Sequence, residues 1–511
     1  MRLRSLCLLA ICLAIPSWAQ YPGAESVRDE LKPGWDSIMA SDAKAWLTML
    51  SSKEFAGRGT GQPGYQKAAD LGYQKAADFV AGKFKEWGLK PVGKDGTYFQ
   101  PVPFLRTKVV EDKTYFEIEG KAIRIGAGKG LSFRSATGSG DISGDLVLLR
   151  VRGENPTLPT EEQLKGKLVI VDSPTVPAAL RRLLFSADAT GITVGGDGKT
   201  SEFGIRRAGS GGPSGPGRSL RTAQLTKAAY DQILKGLGKA SGLKPVGENA
   251  SDLTGLGAKA TLKLEVTSEE FGVPNVVGAI EGSDPTLKAE TVGLGAHLDH
   301  LGVTADGTIY PGADDDGSGT TALLLIARAM AKSPLKPKRT VIFMAFTGEE
   351  MGLIGSGYYT QNPIFPLDKM TCLLQMDMVG RNEEKQGDKP EENVDTIHLV
   401  GSKRISAELH QEILDANKMV NFKFEWDEEG VYTRSDHYMF AAKGVPIAFL
   451  FSGFHPDYHG FHPDYHQPSD TIEKINFDKI ISAARLFYSV AMSAANRGAM
   501  YKRDASPGGG S

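Results

Sequence analysis

Thr291-Val-Gly-Leu-Gly-Ala-His297-Leu-Asp299-His300 and Arg339-Thr-Val-Ile-Phe-Met-Ala-Phe346-Thr-Gly-Glu349-Glu350 are the stretches on which the fold turns. Each is an apolar run of strand length that ends in polar residues able to bind a cation, and a helical pattern from Thr320 to Lys332 lies between them. Outward from this pair, Val276-Val-Gly-Ala-Ile280 precedes, and Met370 to Met376 and Ile447-Ala-Phe-Leu-Phe451 follow. Strand-like runs alternating with helices predict an α/β fold: a mostly parallel central sheet flanked by helices. Such sheets gather ligands at the C-terminal ends of their strands, so the polar residues just past each run are the candidates for chemistry.

Those residues are His297, Asp299 and His300 after one run, Glu349 and Glu350 after another, and Asp377-Met-Val-Gly-Arg381 after a third. Gly312-Ala-Asp314-Asp315-Asp316-Gly-Ser-Gly319 stands just before the helix. Singly, each has a plainer reading. The Glu pair suits a solvated helix start, the aspartates suit an N-cap, and His297 suits a core histidine. Together they end apolar strands of one domain, where burying several unpaired carboxylates is very costly without a cation. Imidazole and carboxylate suit zinc, and two zinc ions bridged by a carboxylate at about 3.5 to 4 Å form the clamp of hydrolytic aminopeptidases.

Six words stand in one order: His297-Leu-Asp299-His300, Pro311-Gly-Ala-Asp-Asp-Asp-Gly-Ser-Gly319, Thr347-Gly-Glu-Glu-Met-Gly-Leu-Ile-Gly-Ser356, Met376-Asp-Met-Val-Gly-Arg381, Ser435-Asp-His437 and Tyr465-His-Gln-Pro-Ser-Asp-Thr471. In these the chain resembles the family of two-zinc aminopeptidases with an α/β catalytic fold, which also contains glutamate carboxypeptidases and glutaminyl cyclases. The resemblance covers about residues 275–495, and Arg58-Gly-Thr-Gly61 matches the start of the family's catalytic domain. It implies two Zn2+ per chain, with Asp315 bridging them, His297 and Asp377 on one, and Glu350 and His466 on the other. It further implies Glu349 as general base, Asp299 as the group that orients His297, and Tyr465 as the hydroxyl that steadies the oxyanion. The activity implied is removal of N-terminal residues from peptides with a free N-terminus. A carboxypeptidase or glutaminyl cyclase on the same fold, or a non-catalytic binding protein of that fold, remains open; Arg381 and Arg434 are few for a carboxylate-binding cluster.

The chain departs from that pattern where Gly453-Phe-His-Pro-Asp-Tyr-His459 is repeated as Gly460-Phe-His-Pro-Asp-Tyr-His466. His459 and His466 are both candidates for the last ligand, and the Gln-Pro-Ser-Asp-Thr context favours His466. A second tandem word, Gly64-Tyr-Gln-Lys-Ala-Ala-Asp70, recurs from Gly72. Nothing in the sequence explains why one chain carries two such duplications.

At 511 residues the chain is long enough for more than one core. Residues 1–19 read as a signal peptide, with Arg2 and Arg4 before an apolar run and Ser17-Trp18-Ala19 at its end, so secretion or export to a periplasm is expected. Residues 20–125 form the N-terminal part of the catalytic domain, 126–245 an inserted β-rich module, 260–500 the main catalytic domain and 501–511 a flexible tail. The insert is similar to a protease-associated domain, for which a role in restricting peptide access is an analogy. A net charge of -2 excludes the basic excess of a nucleic-acid binder, and no later segment reads as membrane-spanning. Cys7 and Cys12 fall in the signal, leaving Cys372 as a buried structural thiol.

Overall fold

The computed structural model describes residues 20–61, 70–133, 138–153, 155–173, 176–199, 204–208, 223–304, 306–426, 430–455 and 460–504. The signal-like residues 1–19 and the Gly-rich stretch 209–217 lie outside them. The chain divides into two compact units, one built from residues up to Val102 and from Val273 onward, the other from Pro103–Gly272.

The first unit is organised by a sheet. Eight of its ten strands are β1 (Phe99–Val109) and β2 (Val266–Ile280), each partly in this unit, then β3 (Thr291–His297), β4 (Thr340–Phe346), β5 (Met370–Met376), β6 (Thr396–Val400), β7 (Lys423–Trp426) and β8 (Ile447–Phe451). Across the sheet the order is β7-β6-β8-β5-β3-β4-β2-β1. The four central strands β4, β3, β5 and β8 are parallel, and every residue of β3, β4 and β5 is buried. Such double-sided burial is why they read as continuous apolar runs rather than alternating ones. The mostly parallel expectation holds for this centre only. β2 runs antiparallel to β4 and β6 antiparallel to β8, so the sheet as a whole is mixed. An apolar run reports burial and carries no signal of direction.

Helices α1 (Ala40–Leu50), α2 (Asp70–Glu86), α3 (Gly317–Lys332), α4 (Ile354–Gln361), α5 (Ala407–Asn417) and α6 (Phe477–Asn496) accompany the sheet. α3 and α6 pack on each other and on β3. α3 is buried almost all round, as befits a helix in the interior rather than on a surface. Its start is set by Asp316, whose side chain accepts the Gly319 N–H. A Cβ on Gly319 would collide with Met376 O and with the Asp316 carboxylate, so glycine lets this helix start reach the end of β5. Cys372 is free and fully buried in β5. Of residues 501–504, expected to belong to a flexible tail, Tyr501 is buried and its N–H donates to Thr371 Oγ1 at 3.0 Å. The aromatic ring supplies the apolar area that a glycine-rich tail lacks.

In the second unit an eight-stranded sheet runs Ile123–Gly126, Tyr115–Ile118, Ala250–Leu264, Gly140–Arg152, Leu168–Asp172, Thr190–Val194, Ala223–Leu225, Leu131–Phe133. Alternate residues serve opposite faces: Leu146, Leu148 and Ile170 join one apolar cluster, while Val147, Leu149 and Val171 join another. The unit extends beyond 126–245 at both ends because Tyr115–Ile118 and Ala250–Leu264 pair in its sheet.

Candidate metal centre and active site

The three consecutive aspartates are separated by their hydrogen bonds. Asp316 accepts the His297 N–H at 3.0 Å, the Gly319 N–H at 2.8 Å and the Met378 N–H at 3.2 Å, tying together β3, α3 and the end of β5. Asp314 accepts the Gly380 N–H at 2.7 Å, and Asp470 accepts the N–H groups of Asp314 and Asp315. A cis peptide joins Asp315 and Asp316. Asp315 is the one of the three whose carboxylate meets both His297 and His466.

Around Asp315 the predicted residues converge. Its Oδ1 lies 3.2 Å from His297 Nε2, and its Oδ2 lies 3.2 Å from His466 Nε2. Asp377 Oδ1 is 3.4 Å from His297 Nε2, and Glu350 Oε2 is 3.0 Å from His466 Nε2. Glu349 Oε2 stands 4.0 Å from His297 Nε2. Two donor groups result, His297/Asp315/Asp377 and Asp315/Glu350/His466. His459 lies outside the described residues.

The duplicated word leaves His466 in place because Phe454↔Phe461 and His455↔Gly460 pair as two short antiparallel strands, bringing the second copy back. Tyr465 stacks on His466 and on Phe461, with ring centroids 3.8 and 4.4 Å apart. Its hydroxyl accepts a hydrogen bond from Arg434 at 3.2 Å.

Asp299 acts on both sides of the site. Its carbonyl oxygen is 3.0 Å from His297 Nδ1, within hydrogen-bond reach, and fixes the ring with Nε2 aimed at Asp315. The Asp299 carboxylate, 3.8 Å from that nitrogen, instead accepts the Glu349 N–H at 3.1 Å.

Arg58 is fully buried, and its guanidinium donates to the carbonyls of Leu50, Leu298, Pro311, Gly312 and Asp315. The planar fork therefore clamps the loop after β3 to the loop that carries the aspartates.

The electrostatics are those of an acid-rich pocket. Burial, reinforced by Glu350, Asp377 and Asp436, holds the Glu349 carboxyl well above its ordinary range. Burial likewise raises Asp377, and it pushes Asp299 up to about 6 and Asp436 up to about 7. Burial opposes charging of His297, but Asp377 and Glu349 outweigh it and drive the imidazole well above its usual value. His466, also opposed by burial, is raised to about 10 by Asp315 and Glu350. Burial favours a neutral Asp315, yet His300, His297 and His466 hold it well below the usual carboxylate range.

Zinc fits this donor set. His466 Nε2 and Asp377 Oδ1 are buried close to oppositely charged groups without an aligned hydrogen bond. His with carboxylate oxygens is a zinc-type set.

A cleft opens over these residues. His297, Asp315, Glu349, Glu350 and Asp377 form its floor, while Met378, Val431, Phe449, Phe451 and Phe461 form an apolar wall, with Arg434 and Tyr465 beside it. Sequence alone gave no role to His300, whose Nδ1 is 2.8 Å from Glu350 Oε1, nor to Asp316, Asp470 and Arg58. All four stand within the sequence motifs, but Arg58 and Asp470 act on backbone groups, so their roles have no signal in the sequence.

Residues 275–491 match the profile of peptidase family M28, the family likeness that the ordered motifs anticipated. It is 29% identical over 241 residues to the probable leucine aminopeptidase 2 of Aspergillus oryzae, covering 46% of this chain and 44% of that protein. It is 30% identical over 202 residues to leupeptin-inactivating enzyme 1 of Streptomyces exfoliatus, covering 39% of this chain and 40% of that protein. The chain thus spans less than half the length of these two curated relatives. The solved aminopeptidase from Aneurinibacillus sp. strain AM-1 shares the fold, with a TM-score of 0.54 at 20% identity over 92% of this chain and 97% of that one.

Proposed function

We propose that this chain is an exported aminopeptidase that holds two zinc ions and removes N-terminal residues from peptides. The observation that carries this reading is Asp315, whose two oxygens each face a histidine from a different donor group. His297, Asp315 and Asp377 would hold one ion, and Asp315, Glu350 and His466 the other. When bound, zinc supplies Lewis acidity toward water and the scissile carbonyl.

The chain's own residues do the rest. Glu349, kept basic enough by burial and by neighbouring carboxylates, takes a proton from the attacking water and delivers it to the leaving amine. The Tyr465 hydroxyl, held by Arg434, donates to the oxyanion that forms on the carbonyl oxygen. The acidic floor attracts a free α-ammonium group, which selects N-termini. The wall of Met378, Val431, Phe449, Phe451 and Phe461 favours apolar side chains at that position. Among the described residues no helix is long and apolar enough to cross a membrane, and export rests on the signal-like residues 1–19.

The test compares hydrolysis of free and N-acetylated leucyl anilides, with and without a chelator. Hydrolysis of the free substrate alone, lost on chelation and restored by zinc, is expected. Cleavage confined to the acetylated substrate, or indifference to the chelator, overturns the proposal.

A further inference from the structure

A second group of metal-type donors lies apart from the catalytic centre. His398 on β6 and Glu425 on β7 are direct partners across a parallel strand pair, and Glu384 reaches them from the loop that follows Asp377. One ligand-type atom from each lies within 4.8 Å of the other two. The imidazole of His398 is 1% exposed, and it is held by stacking on Phe451 at 4.6 Å and by an edge contact to Phe454 at 5.8 Å. Its Nε2 points into the group, 2.8 Å from Glu425 Oε2 and 3.1 Å from the Phe454 carbonyl oxygen.

A simple ion pair accounts for only part of this. It would satisfy one carboxylate, divide a single N–H between Glu425 and Phe454 O, and leave the buried Glu384 carboxyl beside a second acid. Glu384 is buried, and its carboxylate lies in one group with that of Glu425. The buried ammonium of Lys479 acts on both acids at a distance and directs two of its three N–H groups to Arg381 O at 2.9 Å and Asn393 O at 2.7 Å. A dication would meet both carboxylates and the imidazole at once.

We propose that Glu384, His398 and Glu425, with the Phe454 carbonyl as a fourth donor, form a separate site for a divalent cation of the zinc class. One imidazole and three oxygens, all from protein, make the closed set of a structural rather than a catalytic site. The ion would tie β6, β7 and the loop after Asp377 to Phe454, the first residue of the short strand pair that carries the duplicated word toward His466.

The test counts zinc in the full mature chain after chelation, reconstitution with zinc chloride and removal of free metal. Wild type is expected to hold one zinc more per chain than either His398→Gln or Glu384→Gln, and its thermal midpoint is expected to rise with zinc more than theirs. Glu384→Gln is nearly isosteric and decides the matter if the histidine variant does not fold. The catalytic zincs are counted separately with Asp315→Asn, which should keep one zinc that Asp315→Asn/Glu384→Gln loses. Equal zinc counts in wild type and Glu384→Gln overturn the proposal, whatever the fate of the catalytic site.

Discussion

His466 Nε2 lies 3.2 Å from Asp315 Oδ2, on the opposite oxygen from the one that faces His297. A carboxylate shared in this way couples the two donor groups. Asp315→Asn replaces one oxygen with an amide that cannot ligate as the carboxylate does, so both catalytic zincs should weaken together and peptide hydrolysis should be lost. Elemental analysis checks this. Loss of one zinc with full retention of the other would contradict the shared role.

Glu349 sits further from His297 than Asp315 or Asp377 does, at 4.0 Å, and its backbone N–H is pinned by Asp299. That placement suits proton transfer better than metal binding. Glu349→Gln should lower kcat by about 10²- to 10⁴-fold, the range for losing a general base, with the zinc content unchanged. Zinc loss in step with activity would reassign Glu349 as a ligand.

The sequence revealed most where chemistry and position coincide. His297, Glu349, Glu350 and Asp377 could be found because each ends an apolar run, and the strand ends of an α/β sheet converge in space. Strand direction at β2 and β6 was hidden, since burial pattern is blind to it. Arg58 was hidden for a different reason: its five partners are backbone carbonyls, most of them far along the chain, and any residue type could supply them. Glu384, His398 and Glu425 come from three segments with no spacing rule between them, so only folding brings them together.

His437 gives a pH prediction. Its ring is buried against Phe449, its Nε2 is 2.7 Å from Tyr432 O, and burial pushes its pKa down to about 3. The folded state therefore prefers the neutral ring. The stability this contributes is fully present above the unfolded value near 6.5 and is lost as pH falls toward 3. In metal-free protein, the stability advantage of wild type over His437→Gln should shrink by several kcal/mol across that window, since each tenfold difference in proton affinity between the folded and unfolded ring corresponds to about 1.4 kcal/mol. Urea unfolding at a series of pH values measures it. A constant difference between the two proteins would rule out His437 as the titrating group.

The duplicated word sets the last prediction. The pairing of Phe454 with Phe461 returns the chain, and the second copy then places Tyr465 against Phe461 and His466 3.0 Å from Glu350. A ligand is defined by that placement rather than by the word it belongs to. His466→Gln should therefore remove the zinc shared by Asp315 and Glu350 and abolish peptide hydrolysis, whereas His459→Gln should leave the zinc content and kcat unchanged. Zinc analysis alongside kcat for the two variants checks this. If His459→Gln loses the metal and His466→Gln keeps it, the first copy is the one that serves the site, and the stacking of Tyr465 on His466 has no part in catalysis.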